Sequence, residues 1–343
     1  MVVDGPAIFD TGEAAWLMER IRPFRTIVAG VMARTAAEES DLPVHYDGSP
    51  PSRIIRSLPG PVFLANLGKT PASGRIFGEI VSSHLGDRGL VQVECSDASV
   101  LVWGNGDRAL AGRLAEMTGY HVESCPIPLP AENGVRTIRG CIAGEPVYVN
   151  GIIIGHATED MVVLRQTPSG ISPVSGLLAK PHGMEKLSRR TPPEISAAWC
   201  KSGPIRSVSP STAERQATFG RIDVIDHCGH ELYNRIGPDC CGVLAIGDDT
   251  TAVCGHICAH RGIPVLGIID GDRDAIVPAS FAAGSVVLEV CDGRDDDLGA
   301  EVARLVPEGP VDWGRWICTV LSAFENRVRI AADLREDAHD AVR

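Results

Sequence analysis

Between Val243 and Asp274 the chain reads as an apolar run (VLAIG), an acidic turn (Asp248–Asp249–Thr250–Thr251) and a helical stretch (TAVCGHICAHRG). A second apolar run (PVLGII) and a second acidic turn (Asp270–Gly271–Asp272–Arg273–Asp274) follow. Two strand-like runs joined by a helix make a βαβ unit, whose strands run the same way. Their carboxyl ends then fall on one edge of a sheet, where such folds hold ligands. Few architectures other than a layered α/β fold accommodate this order.

The N-terminal part repeats the alternation. Strands are expected at Arg25–Met32, Pro61–Asn66, Leu90–Glu94 and Ser99–Trp103, and helices at Gly12–Arg20, Gly74–His84 and Asp107–Thr118. Asp10 and Thr11 stand where they would cap the first helix, with Glu13 completing a capping-box-like turn. Residues 126–134 (PIPLPAENG) break the pattern, and the apolar period then drops to two. Thr137–Ile142, Pro146–Ile154 and Met161–Gln166 read as short strands, with turn signals at Gly144–Glu145, Asn150–Gly151 and Ser169–Gly170. After a partly irregular stretch, strands fit Ile222–Ile225, Val243–Ile246, Val265–Ile269 and Val286–Val290. A long closing helix fits Trp313–Leu334, with Trp313, Trp316, Ile317, Val320, Leu321 and Phe324 on one core-facing stripe. The expected fold is α/β: two Rossmann-like halves with mainly parallel sheets, residues 1–132 and 219–343. A small β-rich insert, 133–187, and a connector, 188–218, lie between them.

Composition fits this reading. Hydrophobic residues make up 44% and charged residues 22% of 343, so real cores can form. The net charge of −12 repels nucleic-acid phosphates and anionic lipid surfaces, which argues against both as partners. The opening MVVDGPAIFD lacks a basic region followed by an apolar stretch, and no run approaches a membrane span, so a cytoplasmic protein is expected. Eleven cysteines, an odd number, fit reduced thiols better than a disulfide framework. Self-association is left open by the sequence.

Asp248, Asp249, Asp270, Asp272 and Asp274 should converge at the shared sheet edge. A third strand, Ser285–Val290, leads into Asp292 and Asp295–Asp296–Asp297 and would bring more acids there. Crowded carboxylates repel, and a bound Mg²⁺ relieves this, since it takes a few carboxylates together with water and phosphate oxygens. Helix capping by Asp248 or Asp249 and a solvated turn at 270–274 is the plainer alternative. DGDRD starts like an EF-hand loop, but Ala275 replaces the required Gly and Phe281 the required Glu. A TOPRIM-like site is kept only as a lesser alternative, since Gly247–Asp248 offers no Glu after the first strand and one intervening strand is missing.

The N-terminal strand ends are basic instead. Arg34, Lys69, Thr70 and Arg75 follow strands or open helices among glycines, a setting suited to a small anionic ligand. The Gly68–Lys69–Thr70 triplet is not a Walker motif, because Phe63 stands at the required first glycine. A cationic edge with Lys69 and Arg75, and an acidic, metal-holding edge joined by Thr250 and Thr251, would together clamp a phosphorylated or nucleotide-type ligand. His227 follows a strand at Asp226 and is a candidate general base.

Nine Cys and His residues fall between 227 and 260: His227, Cys228, His230, Cys240, Cys241, Cys254, His256, Cys258 and His260. That density raises Zn²⁺ or another thiophilic metal as a rival cofactor, although no CxxC pair occurs. Cys254 and Cys258 share the apolar face of their helix and read as core, while His256 and His260 read as surface residues on the other side. A third reading is a scaffold without chemistry.

Six segments carry a resemblance: Gly5–Gly12 (GPAIFDTG), Asn66–Gly78 (NLGKTPASGRIFG), Val149–Ala157 (VNGIIIGHA), His182–Leu187 (HGMEKL), Gly247–Gly255 (GDDTTAVCG) and Gly262–Ile276 (GIPVLGIIDGDRDAI). In them the chain resembles an archaeal, mainly methanogen family catalogued as a domain of unknown function. The resemblance implies an archaeal cytoplasmic setting and no particular activity. Relatives often lack the Cys and His around position 256, which favours the aspartates over the Cys/His cluster.

Overall fold

The computed structural model describes the chain apart from residues 127–133, 169, 190–194, 196–197, 199, 216, 272–275 and 336–343. It divides into two compact units, Met1–Pro204 and Ile205–Arg343.

The first unit is built on strands β1 (Val2–Asp4), β2 (Ile27–Ala29), β3 (His45–Asp47), β4 (Leu64–Asn66), β5 (Leu90–Glu94), β6 (Ser99–Trp103) and β7 (His121–Cys125). They form one sheet in the order β3-β2-β1-β4-β5-β6-β7. It is parallel except at β5 and β6, which pair antiparallel through the short turn at 95–98. Alternate residues of each strand face opposite sides. Val3, Val28, Ala65, Val91, Val93 and Val100 pack against helices Glu13–Ile21, Val31–Glu39 and Arg108–Thr118. Val2, Ile27, Leu64 and Leu101 pack on the other side against helices Pro51–Ser57 and Pro71–Ser83. Both faces are thus covered, as a parallel sheet requires. The Glu13–Ile21 helix begins at Gly12 with no side-chain cap, so the capping expected from Asp10 and Thr11 is not used; Thr11 Oγ1 instead donates to the Ala7 carbonyl at 2.9 Å.

The β-rich part of this unit has its own core around Val147, Val149, Ile154, Val162 and Leu164. Strands β8 (Val135–Arg139), β11 (Met161–Thr167) and β12 (Gly170–Ser175) form one small sheet. Strands β9 (Pro146–Val149), β10 (Ile152–Ala157), β13 (Leu177–Ala179) and β14 (Cys200–Ser202) form another. The expected strand Pro146–Ile154 is two strands of a hairpin. Asn150 and Gly151 turn it, both with positive φ, as such a tight turn demands. Within the stretch read as a connector, β14 adds itself antiparallel to β9.

The second unit holds β15 (Phe219–Asp226), β16 (Cys240–Ile246), β17 (Val265–Ile269), β18 (Val286–Val290), β19 (Val311–Asp312) and β20 (Val328–Asp333), in the order β19-β15-β16-β17-β18-β20. The four central strands are parallel, and β19 and β20 close the edges antiparallel. Leu244, Ile246, Leu266 and Ile268 face helices Asp295–Ala303 and Trp313–Phe324. Trp313 is 1% exposed and lies on Gly242, where a Cβ would stand 2.1 Å from its ring. The helix Asp248–Arg261 covers the opposite face. The closing helix stops at Phe324, where its apolar stripe ends, and Val328–Asp333 is a strand on β18 rather than further helix. Among the described residues, no helix is long and apolar enough to cross a membrane.

Candidate metal centre

In the second unit, Asp248 begins the helix after β16 and Asp270 follows β17. Asp295 begins the helix after β18. Because these strands are adjacent and parallel, the three side chains meet at one edge. Their nearest carboxylate oxygens all lie within 4.8 Å of one another. Asp248 Oδ2 accepts the Asp270 backbone N–H at 3.0 Å, while Asp248 Oδ1 is buried with no hydrogen-bond donor. Asp295 is 1% exposed, and its Oδ1 accepts the Asp296 N–H at 2.9 Å. Burial, followed by carboxyl–carboxylate hydrogen bonding with Asp270 and the charges of Asp270 and Asp295, holds the Asp248 carboxyl well above the usual range. Capping does not explain Asp248: the N-cap is Gly247, at φ 104, and no side chain caps the helix.

A second group lies on residues adjoining these. His227 Nδ1 faces Asp226, its Nε2 is 3.2 Å from Asp296 Oδ1, and the three ligand atoms lie within 4.8 Å of one another. His227 sits at φ 51, a strained conformation for a histidine, with its ring against Gly247, where a Cβ would come within 2.9 Å of Nε2. Both ring nitrogens face carboxylates, so work as a general base would require one of these contacts to open.

Among the other expected residues, Asp249 shares the first helical turn with Asp248 but does not belong to either cluster. Asp272 and Asp274 lie outside the described residues. Thr250 and Thr251 are 7% and 2% exposed, and the Thr251 methyl lies over Gly267. Arg34, Lys69, Thr70 and Arg75 belong to the first unit. Arg34 pairs with Glu38 at 2.9 Å and stacks over Tyr46. Arg75 binds Glu123 through two contacts of 2.7 Å and Asp97 at 3.0 Å, and these partners hold its guanidinium charged. Thr70 forms a reciprocal capping box with Ser73. Lys69 pairs with Glu145 and donates to Ser202 Oγ at 3.1 Å. The loop carrying Lys69 is fixed from below by Glu94, which is 0% exposed and accepts from Asn66 Nδ2 and from the backbone N–H groups of Gly68 and Ser96.

The Cys/His stretch does not assemble a thiolate centre among the described residues: no cysteine enters either three-ligand cluster. Cys254 and Cys258 are fully buried. His256 is not a surface residue, as its helical position suggested, but 0% exposed, with Nε2 3.2 Å from Arg206. The chain around 206–213 crosses that face of the helix. Arg206 reaches His256, Ser211 meets His260 at 3.0 Å, and the Ala213 N–H donates to Ala259 O at 3.0 Å.

Sequence reasoning singled out Asp248 and Asp270 and noted the Asp295–Asp297 run. It missed Asp226 as a partner of His227, although the two are neighbours at a strand end.

No solved structure matches the chain. It is similar to an uncharacterized protein of Methanocaldococcus jannaschii, 29% identical over 87% of this chain and 88% of that one. Residues 1–309 match the family described as "uncharacterized protein conserved in archaea" (DUF2117), and the chain belongs to that family.

Proposed function

We propose that the second unit binds a hard divalent cation of the Mg²⁺ class through Asp248, Asp270 and Asp295, and with it a small phosphorylated or nucleotide-type ligand. The observation that carries this reading is the meeting of three carboxylates at the ends of adjacent parallel strands, one of them with a buried oxygen that no donor satisfies. A cation relieves their repulsion and uses that spare lone pair, leaving positions for water and phosphate oxygens. The uncapped first turn of the Asp248–Arg261 helix supports the phosphate half of the reading, since a helix N-terminus favours anionic oxygens. The imidazole of His227 beside Asp226 and Asp296 would extend the site toward a second, nitrogen-tolerant metal such as Mn²⁺.

Calorimetric titration of the full chain with Mg²⁺ and Mn²⁺, then with ADP in the presence of either ion, tests the proposal. Saturable cation binding is expected, weakened at least about tenfold in Asp248→Asn and Asp295→Asn, with ADP binding only beside the cation. A wild-type protein that takes up neither ion overturns it.

A further inference from the structure

In the first unit, β1 ends at Asp4 with β2 on one side and β4 on the other. The helix Glu13–Ile21 that follows β1 packs on one face of the sheet, and the helix Pro71–Ser83 that follows β4 packs on the other. The carboxyl edge at β1 and β4 is therefore the point where the winding reverses, the crevice in which doubly wound sheets hold ligands. The β-rich part of the same unit reaches this edge. Ser202 of β14 takes a hydrogen bond from Lys69, and Glu145 pairs with Lys69 and accepts the Ile142 N–H at 2.9 Å.

Lys69 is thus tied down on this edge, whereas its neighbours Lys201 and Asp4 are not. Both are half-buried. Among the described residues, neither side chain makes a hydrogen bond, nor an ion pair within 4.0 Å. The Asp4 carboxylate nonetheless favours the Lys201 ammonium electrostatically, as does Glu145, while Lys69 opposes it. Partial burial thins the water around both groups, pushing the Asp4 carboxyl up to about 6 and the Lys201 ammonium down. Two opposite charges that are partly desolvated and not in contact carry a cost, because the attraction that would offset the lost hydration is only partly realised. A ligand that brings an opposite charge to each of them removes that cost. Lys69, Lys201, Asp4 and Glu145 carry no net charge together, so a net-neutral ligand suits the place. A phosphate ion would meet the lysines but face Asp4 and Glu145.

We propose that this edge is a binding site for a small zwitterion of the α-amino-acid class, its ammonium group on Asp4 and its carboxylate on Lys201. The site belongs to the first unit and is independent of the cation centre in the second.

The test is a thermal-shift screen of the full wild-type chain against the proteinogenic amino acids singly and against inorganic phosphate, followed by calorimetry of any amino acid that stabilises. At least one amino acid is expected to raise the melting temperature. Its affinity should fall about tenfold or more in Lys201→Met and in Asp4→Asn, while Mn²⁺ binding by the same variants stays at the wild-type level. The proposal is overturned if no amino acid stabilises, if phosphate alone stabilises, or if a stabilising amino acid binds both variants as it binds wild type.

Discussion

Replacing Asp4 with asparagine should make the protein more stable at neutral pH, and only there. In the fold the Asp4 carboxyl titrates at about 6 instead of its ordinary 3.8, chiefly because it is buried. The folded state therefore holds a proton between those values that the unfolded chain has released. Stability falls as pH rises through that window, and the whole penalty is present above it. A shift of this size corresponds to about 3 kcal/mol as an upper limit, and the water that still reaches a half-buried side chain lowers the expected value to about 1–2 kcal/mol. Asparagine mimics the protonated carboxyl, so the two proteins should be nearly equal near pH 4 and diverge in favour of the variant up to pH 7. Urea unfolding of both, followed by circular dichroism at intervals across that range, reads the difference directly, and other titrating groups cancel in the subtraction. A difference that stays flat with pH would refute the burial argument. Wild type gaining on the variant as pH rises would show instead that Asp4 sits in a tight ion pair.

Gly242→Ala should lower stability by about 1–3 kcal/mol or more, because the new methyl would meet the buried Trp313 ring at 2.1 Å; an unchanged melting temperature would show that the ring moves aside freely. Glu94→Ala leaves the Asn66 amide and the Gly68 and Ser96 N–H groups without their shared acceptor and should cost about 3 kcal/mol by denaturant unfolding. Thr70→Ala removes the hydroxyl that caps the Pro71–Ser83 helix and should cost about 1 kcal/mol in the same assay. In Asp248→Asn, the protein without metal should unfold no earlier than wild type in a thermal melt, since the change removes a carboxylate from a crowded cluster. A large loss of stability would mean that the cluster is held by bonds to Asp248 itself.

What could be read from the sequence depended on how local each signal was. The βαβ stretch from β16 to β17 was legible because its apolar runs, helix and acidic turns follow one another without interruption. The meeting of Asp248 with Asp270 follows from that order alone. The depth of Asp295 depends on how its helix settles against Ile246, a contact set by packing rather than by local pattern. Val328–Asp333 continued a plausible helical period, and only pairing with β18, nearly forty residues earlier, makes it a strand. His256 looked exposed because a helix with one apolar face usually has a wet one. Here the 206–213 segment covers the second face, and residues all around the helix are buried. Asp4 and Lys201 come from opposite ends of the first unit, and nothing in either neighbourhood of the sequence points to the other.

The family match ends at residue 309, yet the second unit does not. Trp313, Trp316, Ile317, Val320 and Phe324 supply one wall of its core, and β20 shields the flank of β18, with Leu334 pinned to Ser285 and Gly284 by bonds of 2.9 and 2.8 Å. A polypeptide trimmed at the family boundary would bare a tryptophan-sized hollow and an open row of β18 peptide groups, ready to recruit the same row from another molecule. Such a fragment should precipitate where one reaching past Leu334 stays in solution, so gene fragments intended for study of the Asp248–Asp270–Asp295 cluster need the whole tail through β20.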